Sequence, residues 1–278
     1  MDALFRCAMC KGPLSPDGRC AVCGLTYPRR NGYPVLLPPA GRLETSQARA
    51  WKVALEGFRA VRSAPTPDSH DEQMARIRRL ADFAAPWLAG KARVLDIGCG
   101  VGIPLREGLV PAGSYWGIDP LPVLPAVSGF PFAQAISEFL PFEDGTFDAL
   151  LALGTLDHVL DLRTTLRECR RVLKPGGLIL MGLSLHEEEA GSIPVGTPRH
   201  NLRRLWHALQ LLADLRFREL HKRLEFFLRW LPRSRRAERC HTFHFSRGDL
   251  AGKLAPEFRL ASLVADTPVI HFAVATPG

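Results

Sequence analysis

The chain has 278 residues, 46% hydrophobic and 23% charged, with a formal net charge of +8. That length suits one α/β domain plus a small module, and the composition is that of a folded protein rather than a disordered one. No apolar run reaches the roughly 18 residues a membrane-spanning helix needs, and the absence of a basic-then-apolar start leads to the expectation of a cytoplasmic protein.

Seven cysteines is an odd number, and four of them cluster at the start of the chain as Cys7-x-x-Cys10 and Cys20-x-x-Cys23. Each knuckle presents two thiolates to one point, and two knuckles complete a tetrahedral all-sulfur zinc site. About 35 residues contain too little core to fold unaided. A structural Zn2+ on Cys7, Cys10, Cys20 and Cys23 is therefore expected, in a reducing compartment.

Pro38-Pro39-Ala40-Gly41 reads as a linker. Helical spacing of Trp51, Leu55 and Phe58 predicts a helix over 45–62, which 63–68 breaks. A second helix is predicted over 71–84, with Met74, Ile77, Leu80 and Ala84 on one face and His70-Asp71-Glu72 at its start. The domain boundaries read as 1–38 for the ribbon, 39–70 for linker and helix, and 71–278 for the large domain.

Strands are then expected at 92–97, 114–118, 131–136, 147–153 and 177–184, with a helix near 161–173. This alternation predicts an α/β fold with a doubly wound, mostly parallel sheet. Two last apolar runs, 258–264 and 269–275, read as a terminal hairpin.

The first of these strands runs Val94-Leu95-Asp96-Ile97 into Gly98-Cys99-Gly100-Val101-Gly102. Glycine allows positive φ and close approach of a ligand to the backbone. The next strand ends at Asp119, where a carboxylate can take two hydrogen bonds from a ribose diol. Together they imply a nucleoside-containing cofactor. A nicotinamide-binding domain is the rival, but its G-x-G-x-x-G needs a glycine at 103, where this chain has Ile103.

Four stretches arrive in order: 94–102, Trp116-Gly117-Ile118-Asp119, Leu140-Pro141-Phe142-Glu143-Asp144-Gly145-Thr146-Phe147-Asp148, and Arg171-Val172-Leu173-Lys174-Pro175-Gly176-Gly177. In order and spacing they resemble the class I S-adenosylmethionine-dependent methyltransferases, of the type 11 kind, over about residues 90–185. The resemblance implies a seven-stranded Rossmann-like sheet with an antiparallel last strand inside it, and S-adenosyl-L-methionine as cofactor. It assigns cofactor contacts to Asp96, Gly98, Cys99, Gly100, Gly102, Asp119, Pro120, Ser137, Glu138, Leu153 and Gly154. Relatives often carry an adenine-binding acid where this chain has Ile136, so adenine reading is expected from the backbone near Ser137. Prolines at 120, 122 and 125 and at 104 imply short or irregular connections around the cleft.

Residues 5–38 resemble the small zinc ribbons that serve as activator subunits of tRNA and protein methyltransferases. That resemblance implies a scaffold or substrate-positioning role.

Methyl transfer needs a general base only when the acceptor is a weak nucleophile. The candidates are His158, just past the fourth predicted strand, and His241 and His244, ahead of a helix expected to be capped by Ser246. A lone histidine is more often a packed or surface residue than a base, and that reading stands beside each. Residues 199–239 hold 12 Lys or Arg and 4 Asp or Glu, a net of +8 that equals the whole chain's. Apolar residues there follow helical spacing. The segment reads as a solvated helix, as a helix lying peripherally on an anionic membrane, or as an RNA contact. The expectation is an enzyme with a small or lipid-linked acceptor. An rRNA or tRNA base methyltransferase is the alternative, and a non-catalytic methyltransferase-like scaffold the second alternative. The oligomeric state is not legible.

Overall fold

The chain starts with a ribbon whose two knuckles share one backbone pattern. Cys7 O accepts the Lys11 N–H at 2.9 Å and Cys7 N–H donates to Gly12 O at 2.9 Å; Cys20 O accepts Gly24 N–H at 3.0 Å and Cys20 N–H donates to Leu25 O at 2.7 Å. Lys11 and Gly24 are therefore equivalent positions, both at positive φ (61° and 74°). A glycine, Gly12, stands one residue on, yet Lys11 takes the left-handed position. β1 (Arg29–Arg30) and β2 (Tyr33–Pro34) close the ribbon as an antiparallel hairpin. The computed structural model describes residues 3–39, 70–121, 129–186, 245–267 and 269–278. The expected helix over 45–62, the basic segment 199–239 with its three readings, His241 and His244 lie outside these residues.

α1 (His70–Leu88) runs four residues beyond its expected end, because Leu80, Ala84 and Leu88 continue one buried stripe while Pro86 sits on the exposed side. The strands that follow are β3 (Val94–Ile97), β4 (Tyr115–Asp119), β5 (Phe132–Gln134), β6 (Phe147–Leu153) and β7 (Leu173–His186). Between β3 and β4 lies only a one-turn helix, α2 (Ile103–Arg106), with Pro104 in its first turn, matching the expected short connection. β3 is buried at every position, as a strand covered on both faces must be. β7 starts earlier than expected: Leu173 pairs with Phe147, the chain makes an excursion at Gly176 (φ 74°), and pairing resumes at Leu178 with Ala149.

α3 (Leu162–Val172) is capped by Asp161, whose side chain accepts the Thr164 N–H. Beyond the long insert come β8 (Phe245–Ser246), α4 (Leu250–Leu254), β9 (Phe258–Ala265) and β10 (Ile270–Pro277). Ser246 Oγ accepts the Asp249 N–H while Asp249 Oδ1 accepts the Ser246 N–H, a reciprocal pair that closes the turn before the helix; the N-cap itself is Asp249 and not the expected Ser246, because the helix begins only at Leu250.

The sheet order is β5-β4-β3-β6-β7-β10-β9. It is parallel through β7, and β10 runs antiparallel to both its neighbours. The expected seven strands form this path; β8 adds an eighth, pairing only with the end of β7. On one face α1 packs against Val94, Tyr115, Leu151 and Phe272. On the other α3 packs against Leu95, Ile97, Leu150 and Ile179. The sheet is thus covered by helices on both sides, the doubly wound arrangement.

The ribbon is welded to the sheet at its β5 edge. Val35 makes a parallel bridge to Gln134, and Leu36 N–H donates to Gln134 O at 2.8 Å. Phe5, Tyr27 and Leu36 belong to the same buried cluster as Leu140 and Phe142. Covering β5 in this way removes an open strand edge that would otherwise invite aggregation.

Candidate functional site

Chain direction reverses between β3 and β6: β3 leads outward to β4 and β5, while β6 and β7 lie on its other side. Ligands of open α/β sheets bind in the crevice beyond the carboxyl ends of the strands at such a switch point. Here the two lips of that crevice are the turn after β3 and the turn after β6.

The turn after β3 is left-handed at three glycines, Gly98 (φ 74°), Gly100 (φ 53°) and Gly102 (φ 70°). A Cβ on Gly98 would meet Thr155 Oγ1 at 2.4 Å. Thr155 itself donates to Ile97 O at 2.8 Å, so it bridges the two lips. Cys99 is buried and lies beneath the loop; its Sγ and the Phe130 ring occupy the space that a Cβ on Gly117 would need. Asp119 ends β4 with its carboxylate against the same loop, accepting Gly100 N–H at 3.0 Å and Leu121 N–H at 2.8 Å. Pro120 follows, its carbonyl accepting from Gln134 Nε2.

Asp96 sits below the loop, 2% exposed. Tyr115 O–H donates to Asp96 Oδ2 at 2.5 Å across β3 and β4. Burial pushes the Asp96 carboxyl up to about 7, the Tyr115 hydrogen bond opposes that, and the charge of Asp119 adds to it. Tyr115 is pushed well above the ordinary phenol range, first by burial and then by Asp96. In the sequence Tyr115 is only one position of the strand expected over 114–118. The signal that could have found it was register: two residues before Gly117, it faces the same side as Asp96.

After β5, Ile136 is buried, 4% exposed. Ser137 Oγ and Thr165 Oγ1 share a hydrogen bond at 2.9 Å. Glu138 Oε1 accepts the N–H groups of Leu160 (2.6 Å) and Asp161 (3.2 Å), tying this loop to the entry of α3. Burial raises the Glu138 carboxyl above its ordinary range, against those donors.

On the other lip, Leu153 ends β6 and Gly154 (φ 68°) donates to Gly182 O at 2.9 Å. His158 lies in the following turn, its N–H donating to Thr155 O at 3.0 Å and its Nε2 3.7 Å from Asp157 Oδ1. The structure thus brings Asp96, Gly98, Cys99, Gly100, Gly102, Asp119, Pro120, Leu153, Gly154 and His158 to one edge of the sheet. Ser137 and Glu138 stand at the end of the neighbouring β5.

A second cluster lies in the ribbon. The sulfurs of Cys7, Cys10, Cys20 and Cys23 all fall within 4.8 Å of one another. Cys7 and Cys23 are 3.6 Å apart, Cys10 and Cys20 3.4 Å. Zinc–sulfur bonds of about 2.3 Å in a tetrahedron set sulfurs roughly 3.8 Å apart, so the cluster fits that ion. The Tyr27 hydroxyl is 3.2 Å from Cys7 Sγ and can orient it. The glycine loop fits a nucleoside cofactor for a different reason: its backbone is bare at the crevice, with a carboxylate alongside.

Residues 95–181 match the family model described as methyltransferase domain. Among curated relatives, an uncharacterised 37.1 kDa protein of transposon TN4556 from Streptomyces fradiae is 34% identical over 54% of this chain and 48% of its own length. The ubiquinone biosynthesis O-methyltransferase of Pseudomonas aeruginosa (strain LESB58) is 37% identical over 40% of this chain and 51% of its own length. The chain thus spans about half the length of these relatives. Among solved structures, 1,6-didemethyltoxoflavin-N1-methyltransferase of Burkholderia thailandensis, bound to 1,6-didemethyltoxoflavin and S-adenosylhomocysteine, superposes with a TM-score of 0.54 at 14% identity. That match covers 88% of this chain and 95% of the other. The fold is therefore the Rossmann-like methyltransferase fold. Among the described residues no helix is long and apolar enough to cross a membrane.

Proposed function

We propose that this protein is an S-adenosylmethionine-dependent methyltransferase with a small or lipid-linked acceptor, and that its N-terminal ribbon carries one structural zinc. The observation that carries the reading is the triple left-handed glycine turn facing Asp119 at the switch point of the sheet. The match of residues 95–181 to the methyltransferase domain supports it. The name of the ubiquinone O-methyltransferase supports a small-molecule acceptor.

When bound, the cofactor supplies an electrophilic methyl group on a sulfonium. The chain's task is to position the two reactants in line and to exclude water. Gly98, Gly100 and Gly102 give the methionine and ribose parts a bare backbone to lie on. Asp119 takes the ribose hydroxyls with lone pairs beyond those used by Gly100 and Leu121. With an apolar Ile136 in place of a carboxylate, the backbone at Ser137 reads adenine, and Glu138 holds that backbone in place. Leu153 and Gly154 border the reacting carbon. For a hydroxyl acceptor, the His158 imidazole takes the proton, with Asp157 beside it to stabilise the resulting charge. The zinc, held by Cys7, Cys10, Cys20 and Cys23, has no open position and serves the fold. By this reading the protein works in the cytoplasm.

Calorimetric titration with S-adenosylhomocysteine tests the cofactor half; micromolar affinity is expected, and no binding at millimolar ligand rejects it. Transfer of label from S-adenosylmethionine into a cell extract tests the acceptor half. Label in the organic-soluble fraction supports the reading, and label in RNase-sensitive material replaces it with an RNA methyltransferase.

A further inference from the structure

His271 lies near the start of β10, at the carboxyl edge of the sheet. Its neighbour Phe272 pairs with Gly182 of β7, whose carbonyl accepts the Gly154 N–H; His271 pairs with Leu183, one residue closer to the edge. Two strand spacings of about 4.8 Å put His271 roughly 10 Å from Gly154. A small acceptor can span that distance.

His271 is 5% exposed. Nδ1 is 3.2 Å from Val269 O, and Nε2 is 3.3 Å from Nη2 of Arg247. A carbonyl only accepts and a guanidinium only donates, so these partners specify one tautomer, with hydrogen on Nδ1 and the lone pair on Nε2. Val269 O also accepts Leu185 N–H at 2.8 Å, which anchors the ring to the end of β7. Arg247 follows β8 directly, inside the turn closed by Ser246 and Asp249. Both ends of the contact therefore rest on fixed backbone.

Arg247 is exposed, and among the described residues no carboxylate pairs with it. A guanidinium has five N–H donors in a planar fork, of which the imidazole uses one. The bond to the imidazole is charge-assisted and holds the long side chain against its rotamer entropy, while four N–H donors of the fork are left over. The arrangement gains its sense from a further partner: a planar oxyanion taken by two parallel N–H groups.

We propose that Arg247, positioned by His271, is an anion-binding residue of the acceptor site, taking a carboxylate or phosphate group of the methyl acceptor; its link to the acceptor rests on the methyltransferase reading above. The full chain, with and without saturating S-adenosylhomocysteine, is titrated with benzoate and with phenyl phosphate by calorimetry. At least one anion binds the wild type, and the stronger of the two names the group. R247A weakens that binding tenfold or more, and R247K, which keeps the charge but loses the fork, falls between. H271Q, whose Oε1 can accept from Arg247, retains binding, whereas H271L loses it as R247A does. Affinity for S-adenosylhomocysteine is unchanged in all four variants. Equal binding by wild type and R247A, or no binding of either anion to the wild type, overturns the proposal. Arg247 is a surface residue, so R247A decides even if H271L does not fold. Failure of S-adenosylhomocysteine to bind overturns the methyltransferase reading alone, because the cofactor-free titration still reports on Arg247.

Discussion

Lys11 of the ribbon places its Nζ 2.9 Å from Oε2 of Glu168 on α3, joining two elements 157 residues apart in sequence. The same ammonium donates to Ala8 O at 2.8 Å and Leu140 O at 3.0 Å, so all three of its hydrogens have acceptors. Glu168 is held in turn by Arg171, which also donates to the carbonyls of Phe142 and Leu140. Residues 140–142 are thus gripped from the ribbon by Lys11 and from α3 by Arg171. This grip lies directly after the Ser137–Glu138 turn.

Removing one member of so enclosed a network leaves acceptors unpaired. K11M should lower unfolding free energy by about 1–3 kcal/mol in urea denaturation. E143Q is the contrast: Arg6 pairs with Glu143 at 2.8 Å, but the Glu143 side chain is 62% exposed, and its loss should cost about 0–1 kcal/mol. Equal costs for the two would mean that Lys11 is no more than a surface ion pair.

The ribbon shares one buried cluster with the large domain, so loss of zinc should not stay local. The purified protein should hold close to one equivalent of zinc, and C20S, which removes a buried ligand, should reduce it. Hydrogen exchange should then rise in residues 3–39 and also across 134–143, where Val35, Leu36 and Arg6 meet Gln134 and Pro141. Full zinc content in C20S, or protection lost only within 3–39, would contradict this account.

The fold was legible because most strands are bounded by chemistry visible in sequence. Asp96 with the glycine loop and Asp119 mark the ends of β3 and β4, Phe147 starts β6 where expected, and the terminal apolar runs give β9 and β10; the early start of β7 at Leu173 was not legible. What escaped depends on pairing between distant segments. Nothing near Lys11 announces Glu168, and nothing in Val35 announces Gln134; these contacts exist only once the ribbon docks on β5. Lys11 in a left-handed knuckle position is hidden in the sequence because a lysine rarely takes that conformation and a glycine, Gly12, stands one residue on. Arg247 and His271 were missed for a similar reason, since the contact needs β8 and β10 placed around the end of β7.

Asp119 serves both the backbone of the loop and, by the proposed function, the ribose. Gly100 N–H and Leu121 N–H bond to different carboxylate oxygens, so D119N keeps an acceptor for one of them, turns an amide NH2 toward the other and loses the charge. D119A leaves both N–H groups without that partner. Affinity for S-adenosylhomocysteine should fall about tenfold in D119N, consistent with losing a charged hydrogen-bond acceptor worth about 1.5–3 kcal/mol, and further in D119A. Titration calorimetry on both variants reads this directly, and unchanged affinity in D119A would remove Asp119 from the ribose site.

Gly98 combines two demands that alanine cannot meet. Its φ of 74° is left-handed, and an added Cβ would lie 2.4 Å from Thr155 Oγ1. G98A should lower the melting temperature by several degrees and abolish measurable cofactor binding. The double variant G98A/T155S removes the Thr155 methyl but not its hydroxyl, so it should recover little. Wild-type melting in G98A would mean that the loop relaxes freely.

Asp96 gives a pH signature whose sign follows from its burial. Its carboxyl is raised to about 7 from 3.8, so between those values the unfolded chain has released a proton that the native chain keeps. The native state binds more protons in that window, and stability falls as pH rises through it. The contribution is complete below about 3.8 and lost above about 7. D96N cannot titrate, while its amide oxygen still accepts from Tyr115. The stability of D96N relative to wild type should therefore increase from pH 5 to pH 8, as read by paired urea denaturation curves. Other groups titrating in the same range cancel in the difference. Y115F removes the hydrogen bond that favours the charged form, so it should push the Asp96 transition to still higher pH. A difference between D96N and wild type that stays flat from pH 5 to pH 8 would show that Asp96 is ionised throughout, and that Tyr115 rather than burial governs it.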